Sequence, residues 1–341
     1  MAKRNYSRKG NKIQPAALTL EFPGIQIPAG GGEDAYLDLS QVTSLVNRRF
    51  YRQGINWAVA GVKILSLDST GSPSGIVSLR KLPNTWVMSN AWEKSFRTWQ
   101  KMNNQALAES ESIRPKFLDF KIYADAQHHQ LGFGANLLPD GFNPGEWVSS
   151  KAVVPFGPAS PGNTVEFEFI ATGANFPGIS GATGHNAVSL IEGYAASRGL
   201  PYSPDPNTPA DADDADGSTP ENWMAAIFNE GTDQDSEVIE NLRTDNNEAP
   251  YPFSGDAVGN ADTQYPNGAN QGPGLQIHDY EFITGTTIGG TTRLKGGNFP
   301  AGLMKFTFAN TNETGLCSYF IYIDLVPGNH RGYLCEPMTE M

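Results

Sequence analysis

Short runs of apolar residues, separated by turns rich in Gly and Pro, recur along most of the chain. Runs of this length between such turns are typical of β-strands. They predict about eight to ten strands, the plainest at 35–39, 57–67, 76–82, 117–123, 147–154, 164–170, 275–283, 303–309 and 317–326. In 164–170, Val165, Phe167 and Phe169 alternate with Glu166 and Glu168, so we expect that strand to have one solvent-exposed face.

One segment instead repeats its apolar residues at helical spacing. Asn90 can cap a helix there with Glu93 as its reciprocal partner, so we expect the helix to begin at this point. Lys94, Arg97 and Lys101 fall on a second face and predict a basic stripe, the alternative being an ordinary solvated face. The apolar face consists of Trp92, Phe96, Trp99, Met102 and Ala106.

The order of these elements indicates the fold class. Few helices lie between successive strands, which favours antiparallel over parallel sheets. We therefore predict an all-β protein, an antiparallel β-sandwich built as a single jelly roll of about eight strands with long loop insertions and a few short helices. Residues 1–20 would form a flexible basic arm and 21–341 one domain. An acidic insertion at about 200–270 would interrupt it, since 205–262 hold fifteen acids against Arg243 alone.

Charge is divided unevenly along the 341 residues. The net charge is −12, yet the first twelve residues hold five cations and no acid: Lys3, Arg4, Arg8, Lys9 and Lys12. Without them 19 cations face 36 acids, a net charge of −17. A basic arm on an acidic body predicts a local contact with a polyanion, the alternative being a solvated terminus. The body itself would repel nucleic acid and anionic lipid.

Cations inside the body are secondary candidates for phosphate contacts. Arg48, Arg49 and Arg52 cluster beside Phe50 and Tyr51, and the predicted basic stripe adds three more. Aromatic residues beside cations suit unpaired nucleic acid, because bases stack on the rings while the cations hold the phosphates. Ordinary pairing with the abundant acids explains the same cations equally well.

The usual signatures of catalysis are absent. The chain contains no His-Glu-x-x-His, no Gly-x-Ser-x-Gly and no phosphate-binding glycine loop, so we expect no enzymatic activity. His128 and His129 are adjacent, and we interpret them as loop or surface residues rather than ligands of one metal.

No apolar run is long enough to span a membrane or to form a secretory signal. Cys317 and Cys335 are either two free thiols or one bridge.

The segment 79–101 carries a resemblance to a known family. It reads Leu-Arg-Lys-Leu-Pro-Asn-Thr-Trp at 79–86 and Asn-Ala-Trp-Glu-Lys-Ser-Phe-Arg-Thr-Trp-Gln-Lys at 90–101. This segment resembles one in the single jelly-roll capsid proteins of small circular single-stranded DNA viruses that encode a replication initiator (CRESS-DNA viruses). The basic arm, the strand-rich body and the long insertions are similar to that family too. The resemblance implies a structural protein of the virion that self-assembles into an icosahedral shell, in the nucleus or cytoplasm of a host cell.

The resemblance also implies the partners. They would be other copies of the chain, the single-stranded DNA genome and an unidentified host receptor, without membrane insertion. The arm would face the interior, and loops such as 200–270 the exterior. Arms in this family are usually longer and richer in arginine. A shell of about 60 copies would bring about 300 arm charges against about 1,000 phosphates, so this arm would neutralise only part of a genome.

Assembly of acidic bodies raises a further expectation. Like-charged subunits repel at low salt, and carboxylates that meet at subunit interfaces would be relieved by protonation or by divalent cations such as calcium. No other cofactor is expected.

Two other classes of function remain open from the residues alone. A carbohydrate-binding or adhesive β-sandwich without catalytic activity would use exposed aromatics in its loops and would have no use for the N-terminal cations. A glycoside hydrolase on a β-sandwich is supported only by the abundance of acids and tryptophans.

Overall fold

The structure is a computed structural model and consists mostly of β-strands. It describes residues 15–69, 72–108, 112, 118–155, 164–197, 222–228, 267–268, 274–286 and 290–340. The strands are β1 (Thr19–Glu21), β2 (Ile25–Ile27), β3 (Gly32–Asp38), β4 (Ile55–Asp68), β5 (Gly75–Lys81), β6 (Lys151–Pro155), β7 (Thr164–Ile170), β8 (Asn186–Ser189), β9 (Gln276–Ile283), β10 (Thr291–Phe299), β11 (Leu303–Asn310), β12 (Cys317–Leu325), β13 (Pro327–Gly328), β14 (Gly332–Tyr333) and β15 (Cys335–Pro337). The helices are α1 (Leu39–Asn47), α2 (Trp86–Ala108), α3 (Ala126–Leu131), α4 (Leu190–Ala196) and α5 (Trp223–Ala226).

The strands form two larger sheets and two smaller ones. A six-stranded sheet has the order β1-β12-β4-β10, with β2 also paired to β12 and β15 to β4. A four-stranded sheet has the order β3-β11-β5-β9. A third sheet contains β6, β7 and β8, where only the β7–β8 pair is parallel, and β13 and β14 form a hairpin. The predicted all-β class and antiparallel sandwich are therefore confirmed.

Eight of these strands form four nested antiparallel pairs. β3 pairs with β11, β4 with β10, β5 with β9 and β6 with β7, so each pair lies inside the previous one along the chain. A long hairpin that rolls up on itself produces this order and divides its strands between two facing sheets, as in a jelly roll. The innermost pair departs from that plan, because β6 and β7 belong to the separate third sheet.

The main core lies between the six-stranded and four-stranded sheets. Every second residue of β12 from Cys317 to Leu325 is buried, and Ile321 and Ile323 pair with Ile64 and Val62 of β4. The facing sheet buries side chains of β5 and β11 in the same cluster. Removing one such side chain from water contributes about 1.5–3 kcal/mol, so this alternation is what holds the two sheets together.

A second core explains why β6 and β7 leave the sandwich. It packs α2 against the third sheet through a series of aromatic rings. Trp99 lies 5.3 Å from Phe120, Phe120 lies 5.0 Å from Phe169 of β7, and Phe169 lies 5.2 Å from Trp223 of α5, between ring centres. Gly193 of α4 lets the Trp223 ring approach, since a Cβ there would lie 2.1 Å from Nε1. The third sheet therefore buries its apolar face on α2.

The predicted start of the long helix is wrong by one turn. α2 begins at Trp86, where the Thr85 hydroxyl accepts a hydrogen bond from the N–H of Met88 at 3.3 Å. Asn90 is an exposed residue inside the helix. Val87 and Met88 extend the apolar face N-terminally, so burial selects the earlier threonine as the cap. The predicted aromatic face is confirmed, with Trp92 and Trp99 buried.

The strand predicted at 117–123 is wrong for its described residues. Residues 118–122 lie outside the sheets, and Tyr123 makes only an isolated bridge to Ile170. Side chains take the place of a neighbouring strand here: Ile122 N–H donates to Gln53 Oε1 at 2.6 Å and Lys121 N–H to Ser150 Oγ at 2.9 Å. The strand predicted at 147–154 is likewise shorter, since β6 begins at Lys151.

The expected exposed face of β7 is also wrong in part, because Glu168 is only 1% exposed. Ser149 donates to one carboxylate oxygen, and Thr183 donates to the other at 2.7 Å. His129 Nε2 lies 2.9 Å from that second oxygen. Burial would raise the pKa of Glu168, but the nearby His129 ring and the hydrogen bonds from Ser149 and Thr183 lower it below its usual value. Glu166, in contrast, is exposed as predicted.

The two adjacent histidines lie on α3 and are fully buried, so their interpretation as surface residues is wrong. His128 Nδ1 accepts from Ala124 N–H at 3.1 Å, and Nε2 lies 2.8 Å from Asn136 Oδ1. The Tyr36 ring stacks on the imidazole at 4.5 Å. Across the described residues, no three His, Cys, Asp or Glu side chains are grouped to hold a metal ion. These histidines are therefore part of a polar network inside the fold.

Three further predictions concern the ends and insertions of the chain. Thr19 and Leu20, assigned to the arm, lie in β1, and Leu20 is buried. The structure describes only 222–228 and 267–268 of the acidic insertion at about 200–270. Cys317 and Cys335 are both free thiols, and burial raises the pKa of Cys335 to about 12.

His128 predicts a pH dependence of stability. Burial lowers its pKa to about 4, so the folded chain favours the neutral ring. Its contribution is complete above about pH 6.5 and is lost as the pH falls toward 4, about 3 kcal/mol in total. His128→Gln retains a donor toward Asn136 but no ionisable group, so this component of the pH dependence should disappear. Urea unfolding between pH 7 and pH 4 measures it.

His185→Gln is the matched control, because it removes an imidazole whose side chain is 29% exposed. The control should keep the loss of stability at low pH. A His128→Gln profile that overlays that of the unmodified chain would contradict the prediction.

Candidate nucleic-acid interface

Three predicted phosphate-binding arginines lie in the turn that follows α1. The helix ends at Asn47, and Arg48 adopts a left-handed conformation (φ 52°) as its N–H bonds to Leu45 O. Arg48 and Arg52 are exposed, and Arg49 is half-buried. The turn therefore presents these cations on one part of the surface.

Part of the segment predicted as a flexible arm, residues 1–20, is instead fixed beside this turn. Ala17 N–H donates to Asn47 Oδ1 at 3.0 Å, and the Tyr333 hydroxyl donates to Ala17 O at 2.6 Å. Asn47 Nδ2 in turn donates to Tyr333 Oη at 2.8 Å. Lys3, Arg4, Arg8, Lys9 and Lys12 lie outside the described residues. Ala17, five positions after Lys12 in the sequence, therefore lies beside Asn47, the residue that precedes Arg48.

A second turn brings a cation that the sequence reasoning missed. Arg331, also left-handed (φ 52°), donates from Nη1 to Phe50 O, and Tyr51 Oη donates to Arg331 O at 3.1 Å. Its neighbour His330 is half-buried, and burial together with Arg331 lowers the pKa of its imidazole. The run Gly-Asn-His-Arg-Gly at 328–332 was the available signal, since a glycine-bounded turn places its polar residues at the surface.

A cavity of about 580 Å³ opens between these turns and α2. Its volume lies within the range of small-molecule sites in proteins. Trp92 and Phe96 of α2 line it and stack on each other at 5.0 Å, and Phe50 and Phe120 add two more rings. Arg52, His330 and Arg331 also line it. The cavity thus combines aromatic walls with guanidinium groups.

One acid, Asp119, also lines the cavity, and neighbouring groups of the protein offset its negative charge. Its side chain is only 3% exposed and lies 3.8 Å from Lys121 Nζ. Gln53 N–H donates to the same oxygen at 3.3 Å. Burial raises the pKa of this carboxyl group, and Lys121 opposes the rise. The negative charge of Asp119 is therefore partly neutralised by Lys121, so it opposes an anion in the cavity only weakly.

The basic stripe on α2 does not join this site. Lys94 Nζ donates to Ser197 Oγ at 2.6 Å, and Lys101 Nζ lies 4.1 Å from the centre of the Phe228 ring. Arg97 pairs with Glu93 one turn earlier on the same helix. The two lysine contacts attach α2 to the neighbouring segments, and the arginine pair lies within the helix, so the stripe has structural partners within the chain.

Comparison with known proteins gives no match: no family model, no curated protein and no solved structure matches this chain. In the residues that the structure describes, no helix has the length and apolar character needed to cross a membrane.

The turn predicts a salt-dependent contribution to binding of single strands. Arg48→Gln and Arg52→Gln should each lower the slope of log K against log salt concentration by about 0.7, the value of one lost phosphate contact. Fluorescence anisotropy with an oligothymidylate over a salt series measures the slope.

Lys63→Gln removes a cation that pairs with Asp324 at 2.5 Å and lies outside the cavity, so it should leave the slope unchanged. Identical slopes for the two arginine variants and the Lys63 control would contradict a phosphate role for the turn.

Proposed function

We propose that this chain is the shell-forming capsid protein of a small single-stranded DNA virus, with a basic arm and an adjoining cationic turn that contact the packaged genome. The observation that carries the proposal is the anchoring of Ala17 to Asn47 and Tyr333. It fixes Ala17, five positions after the last cation of the arm, beside the turn that carries Arg48 and Arg52 and beside the hairpin that carries Arg331. The nested strand pairs and the resemblance of 79–101 to CRESS-DNA virus capsids agree with the same proposal.

Electrostatics favours a local contact of this kind. The body carries a net charge of −17 without the arm, so a polyanion is repelled by most of its surface. Cations that lie close together attract a polyanion instead, within about one Debye length, about 8–10 Å at physiological salt. The rest of the genome charge in a shell would be left to mobile ions.

Self-association has a candidate surface on β9, the last strand of the four-stranded sheet. Ile277, Tyr280 and Phe282 are 52%, 58% and 61% exposed. Exposed apolar groups on an outer strand are typical of association surfaces, because they gain by leaving water when a second copy covers them. The proposal assigns this strand to a contact between subunits.

Particle formation and DNA content test the proposal. Deleting residues 2–12 should lower the DNA content of purified particles several-fold while particles still form, because the arm supplies charge rather than the sandwich. Negative-stain microscopy and the ratio of absorbance at 260 and 280 nm measure the two quantities.

The matched control is an arm of the same composition in shuffled order, which retains all five cations and should retain the DNA. A chain that stays monomeric across salt, pH and calcium conditions would contradict the proposal.

Divalent cations at the interfaces are a separate part of the proposal. The described residues contain no group of three side chains that could hold a metal ion, and the proposal assigns the ligands to carboxylates from two or more copies. A chelator at neutral pH and low salt should therefore dissociate the particles, and added calcium should restore them; light scattering follows both. Particles unaffected by the chelator would exclude such bridges, and sodium chloride at equal ionic strength serves as the control.

The alternative of a carbohydrate-binding sandwich is favoured by one observation, the aromatic cavity with Asp119 at its edge. A ring and a carboxylate together suit a sugar. That function would be unaffected by the loss of residues 2–12, so the deletion separates the two proposals.

A further inference from the structure

We propose that the cavity between Phe50 and α2 holds one unpaired base of the bound single strand. This inference rests on the proposed function and adds a nucleobase-binding site to it. The cavity would give the protein a contact with the base itself, in addition to the phosphate contacts of the arm and the turn.

The walls have the chemistry of a base-stacking site. Phe50 and Phe96 line the cavity and are half-buried, so parts of their side chains remain exposed to solvent. Trp92 and Phe120 close the cavity on its apolar side and are buried. Single-stranded nucleic acids are recognised largely by stacking of splayed bases on such rings. The volume of about 580 Å³ exceeds what one base requires, so the sugar can enter as well.

The mouth of the cavity suits the phosphate attached to that base. Arg52 and Arg331 are exposed and line the cavity, and guanidinium groups bind phosphate through two parallel hydrogen bonds. Asp119, the acid in the lining, is buried beside Lys121 and so opposes the phosphate only weakly. The Arg331 guanidinium, which donates to the neutral carbonyl of Phe50, would gain a counter-charge from a phosphate but none from a neutral sugar, which is why we infer a nucleotide.

The test compares two strands on the full-length chain. One is an oligothymidylate of about 12 nucleotides, and the other is an abasic deoxyribose-phosphate strand of the same length and charge. At one salt concentration the unmodified chain should bind the thymidylate about 5- to 100-fold more tightly, the range expected for one stacked base. Anisotropy of a labelled 5′ end reports both affinities, and this comparison needs no variant.

Variants then locate the site. Phe50→Leu retains apolar volume but removes the ring, so it should abolish the preference for thymidylate and leave the affinity for the abasic strand unchanged. Phe50→Tyr should restore the preference. Phe142→Leu is the matched control, since this phenylalanine is 40% exposed and does not line the cavity.

The outcomes separate this inference from the proposed function. Equal binding of both strands, or equal effects of Phe50→Leu and Phe142→Leu, would overturn the base site while leaving DNA packaging intact. Displacement of the thymidylate by cellohexaose in the unmodified chain, but not in Phe50→Leu, would assign the cavity to a sugar and overturn it too. No binding of either strand would overturn the proposed function itself.

Discussion

A single buried carboxylate, that of Asp38, holds together the parts of the chain that form the site. Asp38 ends β3 and caps α1, accepting a hydrogen bond from Ser40 N–H at 2.8 Å. Gln53 Nε2 and Trp147 Nε1 donate to its other oxygen, each at 3.0 Å. Because a buried acid is tolerated only when donors surround it, the helix, the arginine turn and the segment near Trp147 are fixed relative to one another.

Gln53 also connects Asp38 to the wall of the cavity. Its side chain bonds to both the N–H and the C=O of Ile122, and its own N–H bonds to Asp119. The arginine turn therefore does not sit on the surface as a free loop; it is attached at its C-terminal end to the wall that faces α2. The backbone of this turn would therefore not have to be ordered when an anion binds, which removes one of the costs of binding.

The local sequence pattern predicts the strands and the apolar face of α2, but few of the polar contacts. Alternating burial in β12 follows directly from its apolar pattern, and so does the aromatic face of α2. Glu168 and His128 were misjudged, because their partners lie at positions that no local pattern relates to them, such as Ser149 and Asn136. The cavity was not foreseen for the same reason: it joins residues near 50, 92 and 331, which are far apart in the sequence.

The hydrogen bonds of Ala17 fix the position at which the N-terminal segment joins the body. A fully extended chain spans at most about 3.6 Å per residue, so Lys12 stays within about 14 Å of Ala16 and Lys3 within about 47 Å. Under the proposed function, a strand bound by the arm would stay within this reach of the body, so its second contact, with Arg48 or the cavity, would be intramolecular. Such a tether would raise the effective concentration of the strand at the body without any additional charge.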